Sequence, residues 1–151
     1  MGIEIERKFL VKGDSYKWNA SAKSQIIQGF LSRDPARTVR VRVRDNEGFI
    51  TIKGRGEGGA AHPEFEYSVP LQDAIDMLGL CQPPIITKTR YIVMNGRDKW
   101  EVDEFHADLQ GLVIAELEVP SEDYSFSLPD FVGNEVTGDR RYYNSQLGMT
   151  E

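Results

Sequence analysis

Residues 38–44 read TVRVRVR, and this strict alternation of apolar and cationic side chains leaves the backbone few options. Successive side chains of an extended strand point to opposite faces, so Val39, Val41 and Val43 line one side and Arg40, Arg42 and Arg44 the other. A helix would scatter both sets around its circumference. Arginines stacked on one strand face need water, counter-charges or an anionic ligand, and the rest of the chain must supply one of these.

The same period of two recurs along the chain, which predicts a largely antiparallel β domain. In segment 3–11, Ile3, Ile5, Phe9 and Val11 oppose Glu4, Glu6, Lys8 and Leu10, with Arg7 the exception on the apolar side. Ile50 and Ile52 oppose Thr51 and Lys53, and Phe65, Tyr67 and Val69 oppose Glu64, Glu66 and Ser68. Lys88 and Arg90 share a face, as do Glu101 and Asp103, while Glu116 and Glu118 oppose Leu117 and Val119. A last strand is expected over 134–140. Turn signals separate these runs: Asp45-Asn46-Glu47-Gly48 reads as a hairpin, Asn95-Gly96 as a tight turn, and Gly111 marks another.

Three other segments break the pattern. The stretch 54–63, GRGEGGAAHP, is too glycine-rich for regular structure and reads as a long connection. It lacks the Gly-Lys-Ser/Thr ending and following helix of a phosphate loop. Behind Pro70, Leu71, Ala74, Ile75 and Leu78 recur at helical spacing, which predicts an amphipathic helix over 71–80 lying outside the sheet. Shorter helical pieces are expected after Pro120 and over 142–147.

With 151 residues, 40% of them hydrophobic, the chain reads as a single domain spanning 1–151. A net charge of -6 disfavours nucleic acid as the partner, because a phosphate backbone rewards a basic excess. The single cysteine, Cys81, fits a reducing compartment and reads as a small apolar residue. Met1 runs into Glu4 and Glu6 without a basic and then apolar leader, and no stretch suits a bilayer, so a cytoplasmic protein that does not touch membranes is expected.

Gathered together, the charged faces hold Glu4, Glu6, Glu64, Glu66, Glu101, Asp103, Glu116 and Glu118 against Lys8, Arg40, Arg42, Arg44, Lys53, Lys88 and Arg90. An outer sheet face usually mixes in Ser, Thr, Asn and Gln; here strand after strand repeats charge, apolar, charge. Closing the sheet into an antiparallel barrel of about eight strands turns the charges inward and leaves the apolar faces outside, to be covered by short helices. The lumen is then a charged tunnel. Its arginines and lysines suit a polyphosphate, and its carboxylates are hard oxygen donors for Mg²⁺ or Mn²⁺.

Glu4-Ile5-Glu6-Arg7-Lys8 matches the ExExK signature that opens CYTH proteins, also called triphosphate tunnel metalloenzymes. The order continues with QGFL at 28–31, VRVR at 39–42, TIK at 51–53, EFE at 64–66, TKTRY at 87–91, WEVDEF at 100–105, AELEV at 115–119 and VTGDRRYYN at 136–144, so the chain resembles this family over nearly its whole length. The resemblance implies an eight-stranded tunnel. It implies metal ligands among Glu4, Glu6, Glu116 and Glu118, joined by Asp103 and by Glu64 or Glu66, and triphosphate contacts from Lys8, Arg40, Arg42, Lys53, Lys88 and Arg90, with Arg140 or Arg141 closing over the substrate. Lys8, Glu4 and Glu6 carry the catalytic work in this reading.

The implied reaction is metal-dependent hydrolysis of inorganic triphosphate to diphosphate and phosphate. Cyclisation of ATP, hydrolysis of thiamine triphosphate and non-catalytic polyphosphate binding are the rival expectations, in a monomer or homodimer. Phe30 departs from the tyrosine that related bacterial sequences often carry in QGYL, so no hydroxyl acts there. His62 and His106 have no partner at ligand spacing and are given no metal or base duty.

Overall fold

A computed structural model describes residues 2–55 and 61–148. Its strands are β1 (Gly2–Val11), β2 (Ala22–Ser32), β3 (Arg37–Arg44), β4 (Glu47–Gly54), β5 (Ala61–Val69), β6 (Gln82–Asn95), β7 (Asp98–Phe105), β8 (Val113–Glu118) and β9 (Val132–Glu135). Two helices join them, α1 (Ser15–Asn19) and α2 (Leu71–Leu78). The spatial order is β5-β4-β3-β2-β6-β7-β8-β1-β9, and β1 also pairs with β5, so β1 to β8 close into an eight-stranded antiparallel barrel with β9 outside. The expected barrel is therefore present, and closure removes most of the edges an open sheet would expose.

The apolar core lies outside the barrel wall. Phe9, Val93, Trp100, Val102, Ala115 and Leu117 project outward from β1, β6, β7 and β8 and are roofed by Tyr16 of α1 and by Phe131. Trp100 is fully buried, its ring 5.5 Å from Phe9 and 5.8 Å from Phe126. Each of the larger of these side chains contributes roughly 1.5–3 kcal/mol by leaving water. On the other side α2 seats Ala74 against Val41 and Val43. The helix comes so close that a side chain at Gly48 would meet Ala74 Cβ at 2.6 Å, which explains a glycine one residue into β4.

The hairpin, tight-turn and Gly111 readings hold. Asp45 takes φ 53°, Gly96 φ 64° and Gly111 φ 100°, values that turn residues tolerate. Several expectations need correcting. α1 has no strong periodic signal, and β2 was not legible because Ile26 faces in and Ile27 out, side by side. α2 ends at Leu78, not 80. No helix follows Pro120; instead an irregular stretch carries Tyr124 and Phe126 onto the wall. β9 ends at Glu135, and 142–147 holds turns after a single 3₁₀ turn at Arg140–Tyr142. β5 starts at Ala61, so only the centre of the glycine-rich connection, 56–60, lies outside the described residues.

Candidate active site

Strand register carries the charged faces into one lumen. Glu6 stands opposite Glu118, Lys8 opposite Glu116, Glu116 opposite Glu101, Arg90 opposite Asp103, Lys53 opposite Glu64, and Arg42 opposite Gln28. Side chains that are far apart in sequence thus share one interior lined by both signs of charge.

The most enclosed part is a triad. Lys88 Nζ donates to Asp103 Oδ2 at 2.7 Å, while Arg90 donates from Nε to Oδ1 at 2.7 Å and from Nη2 to Oδ2 at 2.9 Å. Lys88 is 0% exposed and Asp103 2%. Burial alone would raise the Asp103 carboxyl, but Arg90 and Lys88 hold it well below the usual carboxylate range. Burial, reinforced by Arg90 and Arg42, pushes Lys88 down to about 7 against the pull of Asp103. Both Asp103 oxygens are already occupied by cations.

Arg42 lies beside the triad and donates from Nε and Nη2 to Gln28 Oε1 at 3.3 and 3.0 Å. Burial, then the nearby Arg40 and Arg90, lower its pKa. Among the described residues Gln28 Nε2 and Arg40 Nε have no hydrogen-bond partner although both are buried. A floor with spare donors and a surplus of arginine is built for an anion.

The carboxylates crowd the facing wall. Lys53 Nζ is 2.6 Å from Glu4 Oε1 and 3.8 Å from Glu6 Oε1. Burial would lower Lys53, yet Glu6 and Glu4 carry it above the ordinary lysine value. Glu4 is raised by burial, with Glu64 and Glu116 adding to the rise against Lys53. Glu64 is raised by burial and Glu66, and Glu118 by burial, Glu6 and Glu101. Like charges held this close in a poorly solvated space favour a divalent cation, and carboxylate oxygens are the donors Mg²⁺ and Mn²⁺ prefer. The donor chemistry fits such an ion. Among the described residues, no three acidic, His or Cys side chains already stand together as an ion cage.

Of the residues picked from the sequence, Glu4, Glu6, Lys8, Arg40, Arg42, Lys53, Glu64, Lys88, Arg90, Asp103, Glu116 and Glu118 share the inner face. Arg141 does not join them: it is exposed and its guanidinium pairs with Asp139 Oδ2 at 2.7 Å. Arg140 is exposed as well. His62 lies on β5 and lines a cavity at one mouth together with Phe30, Lys8, Arg40 and Tyr143, a placement its glycine-rich neighbours concealed. Its Nδ1 is 3.3 Å from Gly54 O. Gln28 and Thr51 stand within the QGFL and TIK motifs without a role, and in the 137–145 segment the sequence singles out Arg140 and Arg141, while the residues that line the cavity are Thr137, Gly138, Tyr143, Asn144 and Ser145. Thr51 accepts from Arg40 at 3.1 Å and donates to Glu66 at 2.7 Å, a role its place beside Lys53 on the same face could have suggested.

A closed antiparallel barrel with a cationic floor and a carboxylate wall inside defines a tunnel for small polyanions. The CYTH domain family matches residues 2–144, and the chain belongs to that family. It is 46% identical to the inorganic triphosphatase of Acetivibrio thermocellus, covering 97% of this chain and 94% of the relative, and 32% identical to that of Nitrosomonas europaea, covering 97% of each. A solved structure described as an inorganic triphosphatase superposes with a TM-score of 0.67 at 29% identity, over 98% of this chain and 99% of that chain.

Proposed function

We propose that the chain is an inorganic triphosphatase that splits tripolyphosphate into diphosphate and phosphate in the lumen, the whole of 1–151 acting as one unit. The observation that carries this reading is the pairing, in one enclosed space, of a donor-rich arginine and lysine floor with carboxylates whose ionisation is strained. The names of both curated relatives support it.

In this reading Arg40, Arg42, Lys53, Lys88 and Arg90 hold the phosphate oxygens and neutralise the charge that develops on the bridging oxygen as the P–O bond breaks. Lys8, beside Glu116, adds a donor at the mouth. A carboxylate raised by burial is better matched than an ordinary one to take the proton of the attacking water. CYTH membership implies dependence on a divalent metal. Glu4, Glu6, Glu64, Glu116 and Glu118 would hold Mg²⁺ or Mn²⁺, which supplies charge neutralisation and acidifies water. We assign Asp103 to positioning Lys88 and Arg90, since its oxygens are filled. Among the described residues no helix is long and apolar enough to cross a membrane, and a cytoplasmic setting is the one this reading expects.

Phosphate release from tripolyphosphate, ATP, thiamine triphosphate and longer polyphosphate, each with Mg²⁺ and Mn²⁺, tests the proposal. Tripolyphosphate is expected to be hydrolysed fastest. Cyclic AMP formed from ATP faster than phosphate appears would replace the reading with a cyclase, and tight binding without turnover would replace it with a binding module. Arg40→Ala should raise KM for tripolyphosphate by about tenfold to a hundredfold, the equivalent of one or two charge-assisted hydrogen bonds, with a smaller change in kcat. Steady-state kinetics reads the split.

A further inference from the structure

The chain after β9 runs as a strap, 136–147, across one end of the barrel. It enters where Val136 N donates to Lys8 O at 2.8 Å and Lys8 N donates to Thr137 Oγ1 at 2.8 Å. It then sends the Tyr142 carbonyl to Lys8 Nζ at 2.9 Å, so the ammonium is held between that oxygen and Glu116 Oε2 at 3.4 Å. Further along, Leu147 packs on Ile86, Phe105 and Ile114. Thr137, Gly138, Tyr143, Asn144 and Ser145 form one wall of the mouth cavity, facing Phe30, Pro35, Arg40 and Lys53.

One side chain far away in sequence fastens the strap. Arg33, just beyond β2, donates from Nη1 to Ser145 O at 2.9 Å and from Nη2 to Gln82 O at 2.8 Å and Pro84 O at 2.9 Å. Its guanidinium lies 5.2 Å from the centroid of the Phe30 ring, and its own carbonyl accepts from Gln146 Nε2 at 3.3 Å. A planar fork reaching three carbonyls ties the strap, the start of β6 and the mouth aromatic into one unit; a lysine could not span them. In the 3₁₀ turn that contributes Tyr142 O, Arg140 and Arg141 are both exposed. The turn is held by Tyr142, whose carbonyl meets Lys8 and whose ring packs on the Ile86, Phe105 and Ile114 cluster; Thr137 anchors the strap before it, and Arg33 and Leu147 anchor it after.

We propose that Arg33 is a positioning residue that locks the strap shut, and that the locked strap both aims Lys8 and narrows the mouth against triphosphates that carry an organic group. This rests on the triphosphatase reading for its substrate but not for its mechanics. A bare tripolyphosphate needs no space beyond the charged lumen, whereas a nucleoside must pass between Phe30, Pro35 and Tyr143. Releasing the strap takes the carbonyl from Lys8 and widens that passage.

The test uses the full chain and its Arg33→Met variant, which keeps the aliphatic stem and loses the fork. Limited trypsin digestion reports strap release directly, because Arg140 and Arg141 sit in the strap and cleavage follows the population of the open form. Cleavage there is expected to speed up about tenfold, given that the strap loses its charged hydrogen bond at Ser145 O and that the fork loses its footing on Gln82 and Pro84. In parallel, kcat for tripolyphosphate should fall and the ratio of kcat/KM for tripolyphosphate to that for ATP should drop by about tenfold. Arg33→Lys should recover part of both. Unchanged cleavage and an unchanged ratio in a folded Arg33→Met protein would overturn the proposal. Should that variant fail to fold, Gln146→Ala, which removes the bond to the Arg33 carbonyl and a local one to Ser145 Oγ while leaving the Arg33 fork in place, must show the same two shifts in smaller measure, and their absence there overturns it equally. If the unmodified chain does not hydrolyse tripolyphosphate, the functional reading falls, while the trypsin comparison still decides whether Arg33 holds the strap.

Discussion

Asp103→Ala is expected to destabilise the protein by about 3–5 kcal/mol, the cost of leaving buried cations without their counter-ion. Lys88 and Arg90 are 0% and 8% exposed, and each donates to Asp103. Arg90 keeps Glu101 at 3.3 Å, but among the described residues Lys88 keeps no other salt bridge. Lys88 can shed its proton, since burial already holds it down at about 7; Arg90 cannot, so most of the penalty falls there. The sign with pH follows from the direction of the Asp103 shift. Its carboxyl is held below the ordinary value of 3.8, so its contribution is fully present above that value and is lost as the pH falls through the folded pKa. Urea unfolding of wild type and variant at neutral pH should therefore differ by the full amount, and the gap should close on acidification below the ordinary aspartate range. A gap of under about 1 kcal/mol at neutral pH would mean that water reaches the triad and that Asp103 remains available for a metal.

The barrel was legible because its signal is local and redundant. Val39, Val41 and Val43 against Arg40, Arg42 and Arg44 determine a strand and its two faces without reference to the rest of the chain, and β1, β4, β5 and β8 repeat the device. That the charged faces look inward required only the sum of many strands. What stayed hidden depends on partners distant in sequence. Asp103 reads as one more inner-face carboxylate, and nothing in WEVDEF says that two cations from β6 will fill its oxygens before a metal can. Arg141 sits in a motif that resembles a substrate contact, yet it turns to Asp139, two residues away. The strap has no periodicity at all: it is shaped by turns, including Gly138 at φ 82°, and by an arginine more than a hundred positions upstream. Gln28 stands in the QGFL motif, but no role follows for it from the sequence, because only the register brings it opposite Arg42.

Glu4→Gln should cost at least about a hundredfold in kcat/KM for tripolyphosphate, roughly 2.7 kcal/mol of transition-state stabilisation, without a matching loss of fold stability. The two effects part company because Glu4 differs from Asp103. Its carboxyl is raised by burial and by Glu64 and Glu116, which outweigh Lys53 at 2.6 Å. A group whose folded pKa lies above its unfolded value favours the folded state below the unfolded pKa, and that contribution is lost as the pH rises through the folded pKa. At neutral pH the ionised Glu4 is thus a burden in the metal-free protein, and a neutral glutamine of the same shape relieves the crowding while keeping an oxygen toward Lys53. In the metal-free state the variant should melt at the same temperature as wild type or higher. Adding Mg²⁺ or Mn²⁺ reverses the order, since an ion that binds only the folded state raises the melting temperature with its occupancy, and the variant has lost one of the charged oxygens that would hold it. The expected signature is a metal-induced rise in melting temperature that is large in wild type and small in Glu4→Gln, together with a metal titration of activity displaced to higher concentration. Equal rises in both proteins would remove Glu4 from the metal set, and the burden its carboxylate carries would then be relieved by Lys53 alone.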